Sequence, residues 1–147
     1  MGFLTGKKAL IVGVASNRSI AWGIAESMAA NGCEVAFTYQ TEKLKGRVEK
    51  CAEICNSSIV IPCDVSSDEQ INETFDELKK FWDSFDILIH SVAFAERAEL
   101  DGNYLEVTTR EGFLKAHEIS SYSFTALAKA AMPMLNENGA LLTLSYL

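Results

Sequence analysis

The chain has 147 residues, 48% of them hydrophobic and 22% charged, with a formal net charge of −7 at pH 7. This is the profile of a folded domain with a substantial core, and it excludes a disordered chain. The acidic balance argues against general nucleic-acid binding, which needs a basic face. No apolar run reaches the length of a membrane span and no signal-peptide pattern opens the chain, so no membrane association and a cytoplasmic location are expected.

The elements alternate along the chain. Residues 9–12 form an apolar run that predicts a buried strand. A turn of small residues follows, and then a helix from Ile20, with Ile24 and Met28 at helical spacing and the stop pair Asn31-Gly32. Gly23 inside this helix costs roughly 1 kcal/mol against alanine, which points to close packing of helix on strand. Glu34–Tyr39 predicts a second strand, and residues 44–54 a charged amphipathic helix. Lys43, Lys45, Arg47 and Lys50 gather there as a solvated face or as a contact for a cofactor phosphate or acidic partner. Residues 58–61 predict a third strand closed by Pro62. Ser67 is a candidate N-cap with Gln70 three residues on, leading a helix whose apolar face is Ile71, Phe75, Leu78 and Trp82. Residues 86–90 predict a fourth strand. Residues 91–109 have no clear period, and residues 110–132 read as one long helix stopped by Pro133. Asn138-Gly139 predicts a turn and residues 140–144 a fifth strand.

Strands roughly 25 residues apart, joined by helices, predict βαβ units and a parallel sheet covered on both faces. The fold class expected is α/β, a Rossmann-type doubly wound sheet. Residues 1–147 are read as a dinucleotide-binding domain holding five strands of a larger sheet. The sequence ends on an apolar strand, so we expect a larger domain on the order of 250 residues. Right-handed crossovers place a ligand crevice at the carboxyl ends of the strands. Gly13, Gln40, Asp64, Ser91 and Ser145 follow the five strands in turn. The first strand-to-helix turn would bring unpaired helix-start amides to an anion, and a dinucleotide pyrophosphate is the usual occupant. Its spacing departs from G-x-G-x-x-G, with Ala15 and Arg18 at the second and third glycine positions. The four cysteines read as reduced structural thiols, and His90 and His117 are too isolated to argue for a metal.

Longer motifs carry a resemblance. Gly13-Val14-Ala15-Ser16 with Ser19-Ile20-Ala21 and Gly23-Ile24-Ala25 is similar to the opening of the bacterial NADH-dependent enoyl-acyl carrier protein reductases, a divergent branch of the short-chain dehydrogenase/reductases. Phe37-Thr38-Tyr39-Gln40, Leu44-Lys45-Gly46-Arg47-Val48, Cys63-Asp64-Val65, Thr109-Arg110-Glu111-Gly112-Phe113, Ser120-Ser121-Tyr122-Ser123-Phe124 and Leu144-Ser145-Tyr146-Leu147 extend the match over the whole chain.

The resemblance implies hydride transfer from NADH to the β-carbon of a trans-2-enoyl thioester on acyl carrier protein, within fatty acid biosynthesis. It implies that Gly13, Ser19 and Ile20 lie along the pyrophosphate and that Asp64 and Val65 flank the adenine. Ser91, Val92 and Ala93 would pass the ribose and nicotinamide, with Ile119, Leu144 and Ser145 on the nicotinamide side. Ala95 would border the substrate thioester. Tyr146 matches an active-site tyrosine, and a Tyr-x6-Lys pair is expected downstream of the fifth strand. A homotetramer is implied. Gln40, neutral and near Glu42, favours NADH over NADPH. Two positions depart from the family segment Ser-Ile-Gly-Phe-Ala-Pro: Ala93 replaces its glycine and Glu96 its proline. The alternatives are another short-chain reductase acting on a ketone or alcohol, and a non-catalytic nucleotide sensor.

Overall fold

The structure, a computed structural model, describes residues 2–145. Five parallel strands form one sheet: β1 (Lys8–Val12), β2 (Glu34–Tyr39), β3 (Val60–Pro62), β4 (Phe85–His90) and β5 (Leu135–Thr143), in the order β3-β2-β1-β4-β5. The helices are α1 (Ile20–Ala30), α2 (Glu42–Ile54), α3 (Asp68–Leu78), α4 (Tyr104–Val107), α5 (Arg110–His117) and α6 (Ser123–Ala131). Among the described residues no helix is long and apolar enough to cross a membrane.

Strand alternation sorts the core into two layers. Ala9, Ile11, Val35, Phe37 and Ile89 pack with Ala21, Trp22, Ala25, Val48 and Cys51 of α1 and α2. Leu10, Val12, Ala36, Ile61 and Leu88 pack with Ile71, Phe75, Leu78 and Leu127 of α3 and α6. The doubly wound sheet expected from the sequence is therefore present, with apolar side chains on both faces of β1. All four cysteines are free thiols, and burial pushes Cys33 and Cys55 up to about 11.

Several local expectations are corrected. The buried face of α1 is Ala21, Trp22, Ala25 and Met28, while Ile20 is exposed. Gly23 is also exposed, and a Cβ there would meet nothing within 4 Å, so the close packing inferred for it is absent. Ala21 and Ala25 provide the small surface against the sheet instead. Ser67 does cap α3, its hydroxyl accepting from Gln70 N–H at 3.2 Å, but the Gln70 side chain accepts from Asp64 N–H rather than closing the box on Ser67. Trp82 is buried but follows the helix instead of ending its face.

The long helix is divided. α5 and α6 are joined by one π-helical turn, Glu118–Tyr122. The fifth strand begins at Leu135 rather than Ala140. Phe85 pairs with Leu135 and Ile87 with Ala140, so the Asn138-Gly139 pair lies in a bulge within β5 rather than in a turn before it. Asn136 in that bulge donates to Asp86 at 3.0 Å, and Asp86 also accepts from Lys8 N–H and the Lys7 ammonium. The side-chain needs of Asp86 thus tie the starts of β1, β4 and β5 together.

Candidate active site

The direction of chain progression reverses between β1 and β4, the place where an open α/β sheet leaves a crevice at its carboxyl edge. Ser91 N–H continues the ladder by donating to Val12 O at 2.8 Å. This brings the backbone of Ser91 against Gly13, whose φ of 119° lies in the region that side chains rarely adopt. A Cβ at Gly13 would stand 1.9 Å from Ser91 O. Glycine is therefore required by both conformation and contact.

The loop after Gly13 is held by Ser19. Its hydroxyl accepts from Ala15 N–H at 2.9 Å and Ser16 N–H at 3.1 Å, turning the side chain back into the loop. Trp22 and Gly23 N–H donate to Ser19 O, and the preceding amides, Ile20 and Ala21, stand at the helix start with no carbonyl a turn earlier inside the helix. The electropositive end of α1 is presented by these backbone amides.

Two cavities open on either side of the Gly13–Ser91 contact. One, of about 200 Å³, is lined by Gly13, Thr38, Gln40, Leu44, Cys63, Val65, Phe94 and Ile119, among others. The other, of about 300 Å³, is lined by Gly13, Ser19, Ile20, Leu144 and Ser145. Ser91, Val92 and Ala93 line both. The residues singled out after β1, β2, β4 and β5, together with Val65 and Ile119, thus converge on one edge. Asp64 lines neither cavity: its carboxylate accepts from Ser66 N–H at 3.0 Å and Ser66 hydroxyl at 2.7 Å. Ala95 lines neither cavity and sits one residue past Phe94, and Tyr146 lies outside the described residues. Arg47 and Lys50 line neither cavity; they line a further groove with Ser16, Asn17 and Arg18 of the loop after β1. Among the described residues no group of three or more His, Cys, Asp or Glu could hold a metal ion.

His90 was not singled out as a site residue, yet it organises this edge from below. It is fully buried, with Nε2 2.7 Å from Ser123 Oγ and Nδ1 2.7 Å from Thr143 Oγ1. Ser123 gives its one hydroxyl proton to Ile119 O at 2.6 Å. Its oxygen must then accept from Nε2–H, which leaves Nδ1 to accept from the Thr143 hydroxyl. Burial pushes the imidazole below its usual range, so the neutral ring joins β4, β5 and the first residue of α6, just past the π turn. Ser120 on the π turn accepts from Phe94 N–H at 2.9 Å and donates to Phe94 O at 3.2 Å. The sequence signal was a polar residue ending an apolar strand, with hydroxyl residues elsewhere; nothing in the spacing paired them.

The parallel order, the two helix layers and the crevice at the β1–β4 reversal define a Rossmann-type α/β fold. The family model of enoyl-(acyl carrier protein) reductase matches residues 13–147. The NADH enoyl-[acyl-carrier-protein] reductase FabI of Haemophilus influenzae is 58% identical over 147 residues, covering 100% of this chain and 56% of the relative. The Escherichia coli enzyme of the same name is 57% identical over the same coverage. Among solved structures, the Aquifex aeolicus NADH enoyl-[acyl-carrier-protein] reductase superposes with a TM-score of 0.95 at 47% identity, over 99% of this chain and 57% of that one. The Anaplasma phagocytophilum reductase, solved in complex with NAD, gives a TM-score of 0.93 at 44% identity, over 99% and 56% of the two chains. The chain belongs to the enoyl-(acyl carrier protein) reductase family, and it spans about half the length of the curated relatives it matches.

Proposed function

We propose that this chain forms the cofactor-binding part of an NADH-dependent reductase of trans-2-enoyl thioesters carried on acyl carrier protein, acting in fatty acid biosynthesis. The observation that carries the reading is the Gly13–Ser91 junction, where a cradle that a Cβ would fill lies beside the amide-bearing start of α1. That cradle, with an apolar cavity on each side, fits a dinucleotide. Two relatives with this sequence pattern bear NADH in their names, and one solved neighbour holds NAD.

On this reading Gly13, Ser19 and Ile20 hold the pyrophosphate, with Ser19 acting by shaping the loop and the α1 amides by donating. Val65 and Asp64 flank the adenine, and the Asp64 turn fixes that edge. Gln40, exposed at the end of β2, faces the adenosine ribose. Ser91, Val92, Ala93, Ile119, Leu144 and Ser145 enclose the nicotinamide end, and Ala95 borders the thioester. NADH, when bound, supplies the hydride. Tyr146 is assigned to the active site by the family tyrosine position that it matches. The protein works in the cytoplasm as a homotetramer.

The test compares NADH oxidation by the full-length protein with a trans-2-enoyl thioester and with a β-keto thioester. Turnover of the enoyl thioester alone supports the reading. Turnover of the β-keto thioester alone assigns the protein to the ketone reductases instead.

A further inference from the structure

The segment that leaves β4 is fastened at three places within three residues. Ser120 holds both the N–H and the carbonyl of Phe94. The Lys115 ammonium stands 5.1 Å from the centroid of the Phe94 ring and 2.6 Å from Glu96 Oε1. One cation on α5 therefore touches both ends of the stretch 94–96, with Ala95 between them. Phe94 itself lines the cavity of about 200 Å³ with the residues that follow β1 and β2. The backbone at Glu96, with φ −63° and ψ 133°, has the φ that a proline ring would impose.

We propose that Lys115 and Glu96 are a positioning pair that holds residues 94–96 beside the acyl end of the crevice, so that thioester binding carries a salt dependence set by this pair. The inference rests on the reductase reading for the identity of the ligand. Both side chains are about half exposed, so salt reaches them: the screening length falls from about 10 Å at 0.1 M to about 3 Å at 1 M. A cation over a ring and an ion pair made by the same ammonium weaken together, releasing both ends of the stretch at once. A proline at this position would restrict the same backbone angle covalently, with no charge involved.

The experiment uses the full-length protein and a trans-2-enoyl thioester of N-acetylcysteamine, which carries no charge and brings no salt dependence of its own. KM for this substrate should rise about threefold between low salt and about 1 M. KM for NADH has its own salt dependence, from the pyrophosphate at α1, and that dependence should be the same in K115M. K115M and E96Q should start about threefold higher and show no further rise with salt. Glu96→Pro should recover part of the E96Q loss and be equally flat, because it fixes the angle without the charge. A thioester salt dependence in K115M equal to that of the unsubstituted protein overturns the proposal, as does a rise in KM for NADH in K115M as large as that for the thioester. Hydrogen exchange at the Phe94 amide provides a readout independent of turnover. Faster exchange in K115M, reversed toward the original rate by Glu96→Pro relative to E96Q, supports the pair, and unchanged exchange in K115M overturns it. A protein that leaves enoyl thioesters unreduced yet shows this exchange pattern refutes the reductase reading and keeps the positioning pair.

Discussion

Gly13 and Ser91 meet with no room for a methyl group between them: a Cβ on Gly13 would stand 1.9 Å from the Ser91 carbonyl oxygen. The contact sets how closely β1 and β4 end, and both cavities open from it. Gly13→Ala should therefore destabilise the fold on the order of 3 kcal/mol, combining left-handed strain with overpacking. Chemical denaturation reads the loss. NADH titration should show weaker binding than the stability loss alone explains, because the crevice itself is widened.

His90 makes the second link at this edge. Its pKa is held below the usual imidazole value by burial, so the folded form resists a proton that the unfolded chain accepts. Its contribution is complete above about pH 6.5 and is lost as pH falls from there toward the folded pKa. His90→Ala strands the Ser123 and Thr143 hydroxyls and leaves a void, so it should cost about 2–4 kcal/mol at pH 8. Urea midpoints measured across pH should fall on the acid side in the unsubstituted protein and lose this component in the variant.

Asp86 acts at the opposite end of the strands. Burial alone would raise its pKa, but hydrogen bonds from Asn136, Lys8 N–H and Lys7 outweigh it and hold the carboxyl below its ordinary value of 3.8. A depressed carboxyl stabilises above that ordinary value and ceases to do so as pH falls through the folded pKa. Asp86→Asn keeps the shape but loses an acceptor and the charge, and should cost about 2 kcal/mol at neutral pH. The cost should shrink in acid, which equilibrium unfolding at pH 7 and pH 3 would show.

Gln40 lines the crevice where β2 ends. An arginine there would give a 2′-phosphate a charge-assisted partner, so Gln40→Arg should improve NADPH binding about tenfold relative to NADH. Fluorescence titration with both cofactors reads the ratio, and an unchanged ratio removes Gln40 from the ribose site.

The sheet was legible because each buried strand carries its signal locally. Glu34–Tyr39 is read to the residue, and Gly13, Gln40 and Ser91 are marked as strand-end residues by position alone. What escaped depends on contacts distant in sequence. The π turn adds a residue to a pattern that is continuously helical, so periodicity merges α5 and α6. The bulge in β5 is set by Asn136 reaching Asp86, while Asn138-Gly139 carries a local turn signal that the sheet overrides. Ile20 reads as core because it is apolar, but the helix start faces the crevice and leaves it exposed. His90, Ser123 and Thr143 form one network only after β4, α6 and β5 are assembled.

The central claim is hydride transfer to the β-carbon of an enoyl thioester. Single-turnover reduction by the full-length protein with NADH deuterated at the transferring nicotinamide position tests it, with the product analysed by NMR. The account predicts deuterium on the β-carbon of the saturated thioester. Deuterium on the α-carbon, on a carbinol carbon, or nowhere in the product would contradict it.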